Sequence, residues 1–129
     1  TVYYGENPSE KHLEIYNIVL EAQKLACSSV KPGITCSELD KIARDYITEK
    51  GYGDYFGHGL GHGIGVEIHE FPYVNAKTET ILEEGMIITI EPGIYLEGFG
   101  GVRIEDDVVV RKNGGEILNK TSKELMILK

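Results

Sequence analysis

The glycine segment, Gly57–Gly65, constrains the fold of this chain more than any other feature, because glycine occupies every second position. Such a run cannot form a stable helix, and it lets the backbone adopt positive φ and approach a ligand closely. The segment carries His58 and His62, and His69 follows it, so that three histidines fall within twelve residues. Imidazole is the commonest metal ligand and a common acid–base group. This density of histidines indicates a functional site rather than an ordinary surface loop.

The residues that close the glycine segment and follow it alternate between apolar and polar side chains, a pattern typical of a strand. The strand is predicted from Ile64 to His69. Ile64, Val66 and Ile68 would face one side of the sheet, and Glu67 and His69 would face the other.

A second strand is predicted over Met86–Glu91, where a near-continuous apolar run indicates burial on both faces. The run ends at Glu91, and Pro92 stops the strand there. Because an unpaired buried charge is very costly, a buried Glu91 needs a cation or a metal. The alternative is a strand end at the surface, where Glu91 is solvated.

A third strand is predicted over Val102–Arg111. On one strand, Arg103, Glu105 and Asp107 share a face, and Arg103 is placed to orient Glu105. The alternative is a polar edge strand that carries an ion pair.

The glycine segment, Glu91 and Glu105 together form a candidate metal site. Oxygen ligands with one imidazole suit Mn²⁺, Fe²⁺, Co²⁺ or Zn²⁺. A carboxylate-rich site can hold two ions about 3.5–4 Å apart, which activate a bridging water for hydrolysis. Two ions would need at least two more carboxylates, and none upstream of His58 stands out in a strand context.

Two helices are predicted before these strands. For the first, Asn7 is the predicted cap, Pro8 the first helical position and Glu10 the capping-box acid. Its apolar face is broad, which favours packing against a sheet, and the turn signal Lys31–Gly33 should follow its end.

The second helix is predicted to begin with a capping box from Thr35 to Glu38 and to close at Gly51. Asn113–Gly115 is typical of a hairpin, and a final strand is predicted over Leu125–Leu128. The fold class is therefore α+β, with two helices packed on one face of a mainly antiparallel sheet.

The amino-acid composition of the chain argues against several classes of function. The chain has 129 residues, 13 basic and 21 acidic, for a net charge of −8, which indicates one acidic domain and argues against a nucleic-acid partner. Apolar runs are too short to span a membrane. Cys27 and Cys36 are predicted to be buried thiols in a reducing, cytoplasmic environment, and the position of Cys36 near a helix start should lower its pKa.

Three motifs resemble those of the pita-bread metallopeptidases, which include aminopeptidase P, Xaa-Pro dipeptidase (prolidase) and methionine aminopeptidase. The motifs are the stretch from His58 to Pro72, with its His-Gly-Leu-Gly-His-Gly-Ile-Gly start, Ile90–Tyr95, and Val102–Asp107. They occur in the order and at the spacing of the family, and the resemblance covers nearly the whole chain. It implies a pita-bread fold and metal-dependent peptide hydrolysis.

The resemblance implies metal ligands residue by residue. His62 would bind one metal through its imidazole, Glu91 would be a second ligand, and Glu105 would bridge both metals. Arg103 would hold the metal site in shape from behind these ligands. The implied cofactors are two divalent ions, Mn²⁺ or Co²⁺ first, with Zn²⁺ or Fe²⁺ as alternatives.

The resemblance also implies catalytic roles. Glu91 would act as general base or proton shuttle near the metal-bound water. His69 would hydrogen-bond the substrate or stabilise the tetrahedral intermediate, and His58 would support substrate binding. The substrate would be a peptide or dipeptide with proline at its second position, because the Arg103–Asp107 motif resembles the proline-directed branch.

The family has two further aspartate ligands, upstream of a segment like Thr1–Gly5, and Asp40, Asp45 and Asp54 do not match them. Residues 1–129 are therefore expected to form a single domain, the C-terminal portion of a pita-bread catalytic domain whose first half is missing. We expect such a chain to be inactive or impaired, to bind metal weakly, and to form a homo-oligomer or self-associate. The alternatives are a methionine aminopeptidase and a pita-bread binding module without catalysis.

Overall fold

The computed structural model describes all residues, Thr1–Lys129, as two helices and nine short strands. The helices are α1 (Glu10–Ser29) and α2 (Cys36–Glu49), and a 3₁₀ turn follows at Gly53–Tyr55. The strands are β1 (Val2–Tyr4), β2 (Gly61–Gly63), β3 (Glu70–Val74), β4 (Ile87–Ile90), β5 (Gly93–Leu96), β6 (Gly100–Arg103), β7 (Asp106–Arg111), β8 (Gly114–Ile117) and β9 (Met126–Leu128). Neither helix is long and apolar enough to cross a membrane.

Five strands form an antiparallel sheet in the order β3-β2-β4-β7-β8. Helix α2 packs against β3, and α1 packs against β4 and β8. The strand pairs β5–β6 and β1–β9 form two further ribbons, the second of them parallel. The predicted α+β class, two helices on a mainly antiparallel sheet, is confirmed.

One hydrophobic core joins the helices to the sheet. It includes Ile15 and Val19 of α1, Leu39 and Ile47 of α2 and Ile88 of β4, all with at most 1% of their surface exposed. Burial of such side chains stabilises a fold by about 1.5–3 kcal/mol each. This core fixes α2 in front of the strands that carry the candidate site.

The predicted start of the first helix is wrong by two residues. Ser9, rather than Asn7, is the N-cap, so Pro8 lies before the helix. The Ser9 hydroxyl accepts the His12 amide, and the His12 imidazole accepts the Ser9 amide in return. An imidazole thus takes the place of the capping-box acid assigned to Glu10. The end at Ser29, ahead of the Lys31–Gly33 turn, is as predicted.

The second helix follows its prediction closely. Thr35 and Glu38 form the capping box, and Gly51 has φ of 85°, the left-handed conformation expected beyond a helix end. Cys27 and Cys36 are free and buried, as expected. The predicted lowering of the Cys36 pKa is wrong, because burial raises the pKa of this thiol to about 11.

The strand predicted from Ile64 to His69 is wrong. This stretch is a loop between β2 and β3, in which Val66 is fully exposed and Ile68 is 76% exposed. The loop is closed locally, because the Glu67 amide donates to the Glu70 carboxylate at 2.8 Å. The alternation there therefore does not mark a buried face.

The predicted strand Val102–Arg111 is two strands, β6 and β7, with a break at Ile104 and Glu105. The break occurs where the chain stops pairing with β5 and begins to pair with β4. The predicted hairpin after β7 is confirmed, although Gly114 and Gly115 belong to β8 rather than to the turn. The final strand is also confirmed, and it pairs with β1.

Candidate metal centre

A break in a long two-stranded ribbon brings two carboxylates together. Strands β4 and β5 pair with β7 and β6 in one antiparallel register, seen in the pairs Ile90–Asp106 and Gly93–Arg103. In that register Glu91 falls opposite Glu105. Pro92 has no amide hydrogen, so the ladder is interrupted between the two halves. Glu91, where the buried strand was predicted to end, therefore lies beside the break between β6 and β7 that contains Glu105.

The glycines around His62 permit close packing of strands. A Cβ atom at Gly61 would lie 1.9 Å from the Thr89 carbonyl oxygen of β4, and one at Gly63 would lie 2.4 Å from the Phe71 carbonyl oxygen of β3. No glycine of the segment has positive φ, so that part of the prediction is wrong. The expected close approach is real, but the partner is neighbouring backbone.

The His62 imidazole is held in one orientation. Its Nδ1 lies 2.9 Å from the Gly63 carbonyl oxygen, and because a carbonyl only accepts, Nδ1 carries the proton. The other nitrogen, Nε2, lies 3.1 Å from Glu91 Oε1. Both side chains are largely buried, with 14% and 13% of their surface exposed.

Thr89 joins the backbone of His62 to the Glu91 side chain. Its hydroxyl accepts the His62 amide at 3.0 Å and donates to Glu91 Oε1 at 2.9 Å. Sequence reasoning missed Thr89. The signal was present, because Thr89 is the one polar residue inside the apolar run of β4, and a buried hydroxyl needs hydrogen-bond partners.

Arg103 lies between the two carboxylates. Its Nε is 3.5 Å from Glu91 Oε2 and 3.9 Å from Glu105 Oε2. Partial burial, together with the Glu91 charge, raises the pKa of Glu105 above its ordinary value. Arg103, Glu105 and Asp107 line one cleft despite the break between β6 and β7, so their predicted common face is retained.

Two of the other three histidines, His58 and His69, line the same region. The ring centroids of His69 and His62 are 4.4 Å apart. His58 Nδ1 donates to the Gly59 carbonyl at 2.7 Å, and its Nε2 lies 2.9 Å from the Tyr95 hydroxyl, a partner that could not be predicted from local sequence. Two adjoining clefts, of about 330 and 450 Å³, share His62, His69, Glu91 and Arg103.

The candidate ligands are of the types that bind divalent metals, but there are too few of them to hold a pair of ions. His62, Glu91 and Glu105 supply one nitrogen and two carboxylates at the wall of one cleft. No three His, Cys, Asp or Glu side chains lie close enough to enclose an ion by themselves. Asp40 and Asp45 lie on α2 and Asp54 lies in the 3₁₀ turn, away from the clefts that contain His62 and Glu91.

Comparison with known proteins decides the family. The sequence matches metallopeptidase family M24 over residues 1–112. The chain belongs to this family. Membership implies divalent metal ions, in agreement with the donor set. The expected relationship to the pita-bread metallopeptidases is confirmed.

Among curated relatives, the chain is 61% identical over 126 residues to an Xaa-Pro dipeptidase from Pyrococcus horikoshii, which covers 98% of this chain and 36% of the relative. It is 55% identical over 128 residues to the Xaa-Pro dipeptidase of Lactobacillus delbrueckii subsp. lactis, covering 99% of this chain and 34% of that protein. The chain thus spans about a third of the length of the relatives it matches.

Solved structures agree. An Xaa-Pro dipeptidase from Bacillus anthracis superposes with a TM-score of 0.95 at 57% identity, over 98% of this chain and 36% of that one. An X-Pro aminopeptidase from Thermotoga maritima gives 0.94 at 48% identity, again over 98% and 36%. The fold of this chain is therefore that of part of a pita-bread domain.

Proposed function

We propose that this chain forms part of the active site of an Xaa-Pro peptidase, of aminopeptidase P or prolidase type, that hydrolyses the peptide bond before proline. One observation carries the proposal. His62 Nδ1 donates to the Gly63 carbonyl, which orients Nε2 toward Glu91 Oε1 at 3.1 Å. An imidazole nitrogen and a carboxylate oxygen that face each other are suitable ligands for one divalent cation. The relatives' names supply the substrate class.

The metal ligands in this proposal are His62, Glu91 and Glu105. Mn²⁺ or Co²⁺ suits one imidazole with two carboxylates, and Zn²⁺ or Fe²⁺ is the alternative. When bound, such ions polarise a carbonyl and lower the pKa of a bound water. A pair of ions needs further carboxylates, which we propose come from residues outside these 129, as the resemblance to the family implies.

The chain's own side chains have distinct roles in the proposal. Glu91 is the proton shuttle, the role that the family resemblance implies, and it is oriented by the Thr89 hydroxyl at Oε1 and by Arg103 near Oε2. Arg103 attracts both Glu91 and Glu105, and its positive charge offsets the repulsion between the two carboxylates. His69 and His58 line the cleft beside these carboxylates. In the proposal the His69 imidazole hydrogen-bonds the peptide substrate, and His58, whose two nitrogens contact the Gly59 carbonyl and the Tyr95 hydroxyl, supports substrate binding from the cleft wall.

We also propose a cytoplasmic location and self-association of this chain. The free, buried cysteines suit a reducing compartment. Val66, Ile68 and Phe71 expose large apolar surfaces near the clefts, and such surfaces favour contact with another polypeptide. Sedimentation that gives a monomeric mass at all concentrations would contradict self-association.

The substrate class is tested by transferring this chain into a relative. The matching 126-residue segment of the Pyrococcus horikoshii Xaa-Pro dipeptidase is replaced by this sequence. With Mn²⁺ or Co²⁺ the chimera should hydrolyse Xaa-Pro dipeptides in preference to Met-Ala, and His62→Ala should abolish turnover. Lys41→Met, at an exposed position of α2, is the matched control.

Preferential cleavage of Met-Ala by the folded chimera would instead support the methionine aminopeptidase alternative. A folded chimera with neither activity nor metal binding would support the non-catalytic binding module. Robust turnover by the isolated chain would contradict the proposal that ligands from outside it are required.

A further inference from the structure

Helix α2 carries a buried ion pair that faces the glycine segment. The Asp40 side chain is fully buried, and Arg44, one helical turn later, donates to both of its oxygens, from Nε to Oδ2 at 2.7 Å and from Nη2 to Oδ1 at 2.9 Å. The same helix has a second pair at the same spacing, Lys41–Asp45, whose side chains are 70% and 53% exposed. Exposed pairs contribute little to stability. The two pairs differ in what else they contact.

The buried pair holds three alternate residues of the chain that leads to His62. Arg44 donates from Nη1 to the Phe56 carbonyl at 2.9 Å and from Nη2 to the His58 carbonyl at 2.7 Å. Asp40 Oδ1 accepts the Leu60 amide at 3.0 Å. The guanidinium also stacks over the Phe56 ring, 4.2 Å from its centroid. The ion pair therefore fixes the backbone on which His58 is carried.

A hydrogen-bond path continues from this pair to the candidate metal ligands. The Leu60 carbonyl accepts the Glu91 amide at 2.8 Å, so the residue held by Asp40 holds Glu91 in turn. Two residues further along, the His62 amide donates to Thr89 Oγ1, which donates to Glu91 Oε1. Both members of the His62–Glu91 pair are thus linked to α2 through Leu60 and its neighbours.

We propose that Asp40 and Arg44 are positioning residues, which set the distance between His62 and Glu91 from behind the glycine segment. The proposal rests on the proposed function in one respect, that His62 and Glu91 bind the metal. A guanidinium presents several donors in a rigid fork, which a lysine ammonium cannot reproduce. Charge alone at position 44 is therefore insufficient, and the shape of the Arg44 fork is required.

The test compares Arg44→Lys and Asp40→Asn with two controls in the full chain. Lys41→Met breaks the exposed pair on the same helix, and Ile47→Val weakens the hydrophobic core while leaving both members of the Asp40–Arg44 pair in place. The first readout, without metal, is hydrogen exchange of the His62 and Glu91 amides relative to amides within α1. The second is the Kd for Co²⁺, measured where every variant is folded.

We expect Arg44→Lys and Asp40→Asn to accelerate exchange at His62 and Glu91 selectively and to weaken Co²⁺ binding about 10-fold or more, as losses of groups that orient metal ligands do. The controls should leave the Kd and the exchange ratio unchanged. If Arg44→Lys fails to fold, Asp40→Asn, which keeps the side-chain shape, decides the question.

Two results would overturn the positioning role. One is a folded Arg44→Lys chain with unchanged exchange and Kd, and the other is an equal effect from Ile47→Val, which would mean that stability alone matters. Failure of the proposed function would give a different set of results from failure of the positioning role. A wild-type chain that binds no Co²⁺ argues against the metal site, while the exchange readout still tests the contribution of Asp40 and Arg44.

Discussion

The contact between β2 and β4 can be perturbed by a single methyl group. In Gly61→Ala, the new Cβ would lie 1.9 Å from the Thr89 carbonyl oxygen, whereas real Cβ atoms stay beyond 3.0 Å, so the strands must separate by 3.0 − 1.9 = 1.1 Å. The hydrogen bond from the His62 amide to the Thr89 hydroxyl, now 3.0 Å, would lengthen to about 4 Å and be lost.

The expected loss of stability follows from these two effects. Overpacking a core costs about 1–3 kcal/mol, and an unsatisfied buried amide costs about 1–3 kcal/mol more. Gly61→Ala should therefore lower the free energy of unfolding by about 2–6 kcal/mol, out of a total of about 5–15 kcal/mol for a typical domain. Urea unfolding followed by circular dichroism measures this difference.

The matched control is Gly57→Ala, in the same segment, where an added Cβ meets nothing within 4 Å. It should change stability by no more than about 0.5 kcal/mol. If Gly61→Ala and Gly57→Ala proved equally stable, the inference that close strand packing explains the glycines around His62 would be refuted.

Three further predictions concern other parts of the chain. The pKa of Glu105 is raised, so the folded, metal-free chain keeps a proton that the unfolded chain releases as pH rises above 4.5. The free energy of unfolding should therefore fall over this pH range, and Glu105→Gln should remove this contribution to the fall in urea titrations. Lys123→Met leaves the buried Asp106 carboxylate without the ammonium now 2.7 Å away and should cost about 3–5 kcal/mol in thermal or urea unfolding. Val66→Ser, in the exposed loop, should change unfolding by less than about 0.5 kcal/mol, whereas a large loss would indicate a buried strand.

Local signals in the sequence predicted much of the fold. The Thr35–Glu38 capping box, the turn after α1 and the hairpin after β7 each depend on a few neighbouring residues, and each is found. The apolar run ending at Glu91 identified the central strand because burial on both faces requires such a run. The resemblance of three motifs to those of the pita-bread metallopeptidases additionally indicated the family.

Features that depend on pairing between distant segments could not be predicted from neighbouring residues alone. The alternation from Ile64 to Ile68 has the period of a strand, yet the chain leaves the sheet at Gly63, and no local signal reports that departure. The opposition of Glu91 and Glu105 likewise depends on the register of β4–β5 against β6–β7.

The structure brings together the residues that the sequence indicated as candidates, but the residues that support them were missed. His62, Glu91, Arg103 and Glu105 stood out because charged or imidazole groups followed apolar or glycine-rich stretches. The buried Asp40 did not, because an acid and an arginine four residues apart on a helix are indistinguishable in sequence from an exposed pair such as Lys41–Asp45. Burial, which only packing decides, separates the two.

The central claim is that His62, Glu91 and Glu105 form one part of a divalent-metal site that needs further ligands. Calorimetric titration of Mn²⁺ into the purified chain and into His62→Ala tests it most directly. We expect one weak site per wild-type chain and none in His62→Ala. Two tight sites per chain, or binding that survives His62→Ala, would contradict it.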